Sequence, residues 1–134
     1  MIAADTSVLV AGFATWHEAH ESAVRVLNRG VRLVAHAAVE TYSVLTRLRP
    51  PHRVAPAAAH TYLAEVATGD YLVLDARSYR QLIEQLAEHR ISGGAGYDAL
   101  VGLTAKVAGA RLLTRDQRAI RTYELLDVDY ELVP

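Results

Sequence analysis

Met1-Ile2-Ala3-Ala4-Asp5-Thr6-Ser7 is the stretch that decides the fold. Apolar residues lead straight into a carboxylate and two hydroxyls, and Val8 to Phe13 follows without a break. A run this short has the length of a buried strand, and Asp-Thr-Ser is the kind of polar turn that opens a helix. Open parallel sheets bind ligands just beyond the carboxyl ends of their strands. Asp5 falls at such an end. Asp, Ser and Thr are also the preferred helix N-caps, so Asp5 supports two readings, a cap and a site carboxylate.

Working outward, the chain keeps alternating short apolar runs with helical periodicity. His17 to Arg29 is expected to be a helix stopped by Gly30, and Val31 to Ala35 a strand. His36 to Leu48 follows as a helix that Pro50-Pro51 cannot continue. Ala55 to Thr68 is an Ala-rich helix closed by Gly69, and Tyr71 to Leu74 a strand running into Asp75. Tyr79, Leu82, Ile83 and Leu86 place one apolar face on a helix from Ser78 to Arg90. The Gly93–Gly96 loop leads into a helix from Tyr97 to Ala108 that ends at Gly109. Arg111 to Thr114 is a strand, Gln117 to Leu126 the last helix, and Tyr130 to Val133 a closing strand. Strands alternating with helices predict an α/β sandwich, a mostly parallel sheet with helices on both faces. No linker or repeat divides residues 1–134, so a single domain is expected.

Composition narrows the chemistry. At 134 residues, 51% apolar and 22% charged, the chain is a globular domain with enough material for a core. Its 14 basic and 15 acidic side chains nearly cancel, which argues against holding nucleic acid by bulk charge. Without cysteine there are no disulfides, thiol catalysis or Cys-based metal centres. No signal peptide or membrane-spanning run is visible, and a cytosolic protein is the expectation. Lys106 is the only lysine against thirteen arginines.

The position of the acids is the informative feature. Asp5 and Asp116 each follow a strand, Asp98 lies in the first turn of a helix, and Glu40 lies in the helix after the second strand. All belong to the rim where a parallel sheet keeps its site. Each has a structural alternative taken alone, as a cap or a favourable charge at a helix N-terminus. Together they favour a shared site. Carboxylates converging on one pocket raise one another's pKa, and a divalent cation removes that conflict. Oxygen ligands without Cys select a hard ion, Mg²⁺ or Mn²⁺. Such an ion suits phosphodiester hydrolysis.

Other constellations carry less. Gly94-x-Gly96-x-x-Ala99 fits a dinucleotide fingerprint only formally, because a helix and not a strand precedes it. His17 and His20 lack a third ligand and read as solvent-facing. A phosphoacceptor receiver domain needs a lysine after a late strand, and Lys106 lies mid-helix. Arg115, Arg118 and Arg121 form either a solvated basic face or a contact for RNA phosphate or an acidic partner.

Asp5-Thr6-Ser7, Glu40, Gly93-Gly94-Ala95-Gly96-Tyr97-Asp98-Ala99-Leu100 and Leu112-Leu113-Thr114-Arg115-Asp116 occur in the order and spacing that resemble a PIN-domain ribonuclease of the VapC toxin type. The resemblance spans the chain and implies a PIN-like three-layer α/β/α sandwich. It implies that Asp5, Asp98 and Asp116 hold the metal, with Glu40 as a further ligand or the orienter of its water. Thr6 and Thr114 match hydroxyls that support these carboxylates. The implied partners are an RNA substrate, a cognate antitoxin and a second copy in a homodimer, with DNA met only through the antitoxin and no membrane. Alternatives of another class are an RNA-processing nuclease without an antitoxin and a binding module without turnover. For the antitoxin groove the candidates are Val8, Phe13, Trp16, Val44 and Leu45, with core filling by Phe13 and Trp16 as the competing reading.

Overall fold

A computed structural model describes residues 1–134. In chain order the elements are β1 (Ile2–Ala4), α1 (Thr6–Phe13), α2 (His20–Leu27), β2 (Arg32–Leu33), α3 (Ala35–Thr46) and α4 (Pro56–Val66). Then come α5 (Ala76–Glu88), α6 (Ala95–Val107), β3 (Arg111–Thr114), α7 (Gln117–Leu125) and β4 (Tyr130–Leu132). The strands form one all-parallel sheet in the order β2-β1-β3-β4. Ala4 lies opposite Leu33 on one side and Leu113 on the other. Ala3, Ala4, Leu112 and Leu113 are fully buried. That is why the central strands read as unbroken apolar runs: both faces of a parallel sheet are covered.

Helices α1 to α4 pack on one another, as do α5 to α7, and the sheet lies between them as the middle layer of an α/β/α sandwich. The strand order places the site. From β1 the chain leaves toward β2, and from β3 it leaves toward β4 on the opposite side. The connections after β1 and β3 therefore diverge and leave a crevice at the carboxyl ends of the two central strands. Asp5 N donates to Leu113 O across that crevice at 3.0 Å.

Two glycines set close approaches. A Cβ on Gly12 of α1 would meet Leu27 Cδ1 at 2.3 Å and the Tyr62 hydroxyl at 2.9 Å, so the Leu27 side chain of α2 packs directly on the α1 backbone there. A Cβ on Gly102 of α6 would come within 3.0 Å of Tyr123 Cδ1 and 3.1 Å of Val128 Cγ2. Gly102 thereby makes room for the Tyr123 ring.

Several expected elements are shorter than the sequence suggests. Tyr71 to Leu74 is not a regular strand. Leu72 alone bridges to Val34, with Leu72 N donating to Leu33 O at 2.8 Å and Ala35 N to Leu72 O at 2.9 Å. Its only neighbour is β2, which lasts two residues because Ala35 already begins α3. The helix expected from His17 starts at His20. Before it, His17 N reaches Ala14 O and His20 N reaches His17 O, each at 3.0 Å, in successive turns. On α5 only Leu82 is buried, whereas Tyr79 and Ile83 face solvent, so its apolar stripe is wider than the contact it makes. No helix is long and apolar enough to cross a membrane.

Candidate active site

Asp5 is the N-cap of α1, and its two carboxylate oxygens have separate partners. Oδ1 accepts from Ser7 N at 3.0 Å, Val8 N at 3.4 Å and the Ser7 hydroxyl. Oδ2 accepts from the Tyr123 hydroxyl at 3.1 Å. At the end of β3, Thr114 Oγ1 accepts from Asp116 N at 3.0 Å, and Asp116 caps α7 by accepting from Arg118 N at 3.0 Å. Ser7 ties the two strand ends together, because its hydroxyl also accepts from Arg115 N at 2.8 Å. Glu40, in the second turn of α3, accepts a short hydrogen bond from the Thr6 hydroxyl. Asp98 lies in the first turn of α6.

Asp5, Glu40, Asp98 and Asp116 line one cleft of about 430 Å³. Burial and then the charges of Asp116, Asp5 and Glu40 push the Asp98 carboxyl from 3.8 up to about 6. Burial also raises Asp5, opposed by the hydroxyls of Ser7, Thr114 and Tyr123 and the amide of Val8. The Tyr123 phenol is raised by its own burial and by Asp5 and Asp98, so it stays a hydrogen-bond donor at any physiological pH. As placed, no three acid or histidine side chains close into a metal-ligand cluster. The four acids that face the cleft nevertheless offer only oxygen, and their like charge is offset only in part by Arg118, whose Nε lies 3.7 Å from Asp116 Oδ1, a set that fits a hard divalent cation.

A PIN-domain family model matches residues 2–125 of the chain. Ribonuclease VapC40 of Mycobacterium tuberculosis is 72% identical over 133 residues, covering 99% of both chains. Ribonuclease VapC27 of the same species is 44% identical over 128 residues, covering 95% of this chain and 93% of its own. This chain belongs to the PIN-domain family of VapC ribonucleases. Two solved structures share the PIN fold. FitAcB from Neisseria gonorrhoeae aligns with a TM-score of 0.70 at 22% identity, covering 97% of this chain and 96% of its own. The FitAB complex bound to the IR36 DNA fragment gives 0.71 at 20%, covering 98% and 94%.

This PIN domain brings further polar groups to the cleft, some of them without a role in the sequence reading. Tyr123 projects from the middle of α7, where its helical spacing with Ala119 and Leu126 marks it as core. Nothing in the sequence says that its hydroxyl meets Asp5. Ser7 is part of the leading motif, yet its link to Arg115 depends on residues 108 positions apart. His17 lines the cleft with its Nδ1 accepting from Ala19 N at 3.0 Å, and His20 Nδ1 lies 2.9 Å from Ala11 O. Both histidines are half-buried, not the solvent-facing pair the sequence suggested. Arg115 and Arg118 also line the cleft, and Arg115 Nε is buried with no hydrogen-bond partner. Arg121 points away to solvent. Of the groove candidates, Val8 and Leu45 are fully buried and belong to the core. Trp16 is 52% exposed with its ring tilted 34° against that of His52, centroids 4.2 Å apart, Phe13 is half-buried against Tyr62, and Val44 lines the cleft.

Proposed function

We propose that this PIN domain, acting as one unit over residues 1–134, is the toxin of a toxin–antitoxin pair and an endoribonuclease dependent on Mg²⁺ or Mn²⁺. The observation that carries the reading is the convergence of Asp5, Glu40, Asp98 and Asp116 on one cleft, in a chain 72% identical to a protein named as a ribonuclease. Divalent-metal dependence is general among VapC ribonucleases of the PIN family. In the proposed assignment Asp5, Asp98 and Asp116 would hold the cation, which when bound would supply Lewis-acid chemistry toward a phosphoryl oxygen and a water. Glu40 would orient that water, and Thr6 fixes the Glu40 carboxylate through its hydroxyl. The Tyr123 and Thr114 hydroxyls favour the ionised form of Asp5 against the opposing effect of its burial. Arg115 and Arg118, both in the cleft lining, meet the RNA phosphates.

A cognate antitoxin keeps the enzyme silent in this proposal by laying a basic residue among the carboxylates and an apolar segment over Trp16 and Phe13. In a homodimer, the apolar area of Val39, Tyr42 and Tyr71, all exposed on one patch, becomes buried. The test is cleavage of single-stranded RNA by the purified protein with Mg²⁺ or Mn²⁺. Activity lost to EDTA and to Asp5→Asn is the expected result. Full cleavage by Asp5→Asn removes that residue from the site, and a metal-independent activity ends the proposal. A small antitoxin gene beside this one separates a toxin from an RNA-processing nuclease.

A further inference from the structure

His36 and Tyr97 form a flat aromatic step beside the cleft. Their ring centroids lie 5.3 Å apart with planes only 2° from parallel. Each ring is tied to a cleft acid by its own backbone. His36 lies one helical turn before Glu40 on α3, a rise of about 6 Å along the same face. Tyr97 immediately precedes Asp98 in the first turn of α6. One face of Tyr97 is covered by His36, yet the residue remains 59% exposed.

A singly exposed tyrosine needs no explanation. A tyrosine held parallel against a ring from another helix has already lost its freedom, so a planar ligand that lands on it orders nothing further. Unpaired nucleobases are stacked in this way on aromatic side chains of proteins that bind single-stranded RNA. Arg115 and Arg118 line the cleft, so on the proposed function a strand crossing it can hold phosphate on arginine and a base on Tyr97. We infer that the His36–Tyr97 pair is a stacking platform for one unpaired base of the RNA whose backbone enters the acidic cleft. The inference rests on the RNA-cleaving reading for the identity of the strand, and its test is kept separate from cleavage.

The test is binding of a fluorescein-labelled twelve-nucleotide oligoadenylate to the Asp5→Asn protein, followed by anisotropy at low salt, where no cleavage intrudes. Stacking predicts that Tyr97→Ala in that background weakens binding about five- to 150-fold, whereas Tyr97→Phe and Tyr97→Trp hold it within about threefold. A twelve-nucleotide abasic strand should bind the Tyr97 protein more weakly than oligoadenylate, and Tyr97→Ala should remove most of that difference. An unchanged melting temperature for Tyr97→Ala confirms that the exposed ring is not structural. Oligoadenylate affinity that ignores Tyr97, or loss seen only in the complex with the antitoxin, overturns the inference. Failure of the wild type to cleave RNA would end the nuclease reading and leave the binding result to stand on its own.

Discussion

Asp98→Asn separates the cost of the acidic cleft from its use. The folded protein holds the Asp98 proton up to about pH 6 against an ordinary 3.8, so ionising it works against folding. The sign follows from linkage: a carboxyl whose pKa is raised by folding costs nothing below about pH 4 and costs its full amount above about pH 7. At about 1.4 kcal/mol for each tenfold change in proton affinity, the upper bound is about 3 kcal/mol. Asp98 is only half-buried, and solvent screening brings the expected penalty to about 1–2 kcal/mol. Asparagine is nearly isosteric and cannot ionise. In EDTA-treated buffer at pH 7.5 the variant should therefore melt about 3–8 °C above the wild type. At pH 4 the two should melt together. RNA cleavage should be lost in the variant at every pH. Thermal melts followed by far-UV circular dichroism at both pH values check this. An equal increment at pH 4 and pH 7.5 refutes the electrostatic account, and a variant less stable at pH 7.5 refutes the placement of Asp98 among like charges.

The remaining expectations use the same assays. Saturating Mg²⁺ or Mn²⁺ should stabilise the wild type by about 2.7 kcal/mol at one hundred times its dissociation constant, and the Asp5→Asn, Asp98→Asn double variant should lose most of that increment. Tyr123→Phe removes a donor from a buried carboxylate, so it should cost about 1–3 kcal/mol and move the acid limb of the pH–rate profile upward, because Asp5 then ionises at higher pH. An unmoved limb would make Tyr123 a packing residue only. Trp16→Ala should leave the melting temperature nearly unchanged and weaken the complex with the co-purified antitoxin by about 2 kcal/mol or more.

The architecture was legible because its signals are local. Short apolar runs without alternation at Met1–Ala4 and at Leu112-Leu113, each followed by polar residues, describe central parallel strands, and Gly30 and Gly109 mark helix ends with positive φ of 85° and 73°. What failed was the edge. Tyr71-Leu72-Val73-Leu74 has strand composition, but pairing depends on how much of β2 remains to pair with, and that length is decided by where α3 begins. The start of α2 differs for a similar reason: helical spacing continues back to His17, whereas the chain from Ala14 to His20 forms successive turns.

The acids raise a different question, since capping and catalysis are usually weighed as rivals. The Asp5 hydrogen bonds show why they need not compete. Oδ1 is committed to the amides of Ser7 and Val8, which fixes the rotamer and starts α1. The other oxygen is thereby aimed, and the Tyr123 hydroxyl, seated by the missing side chain at Gly102, holds it. Asp116 repeats the arrangement at the start of α7 with Oδ1 on Arg118 N. A carboxylate at a strand end is thus turned toward the crevice by the same hydrogen bonds that begin the next helix. A sequence that reads as a cap at both central strand ends is already a sequence with two oriented carboxylates, and only the strand order tells whether they face one another. Here β1 and β3 are adjacent, and both carboxylates line the one cleft.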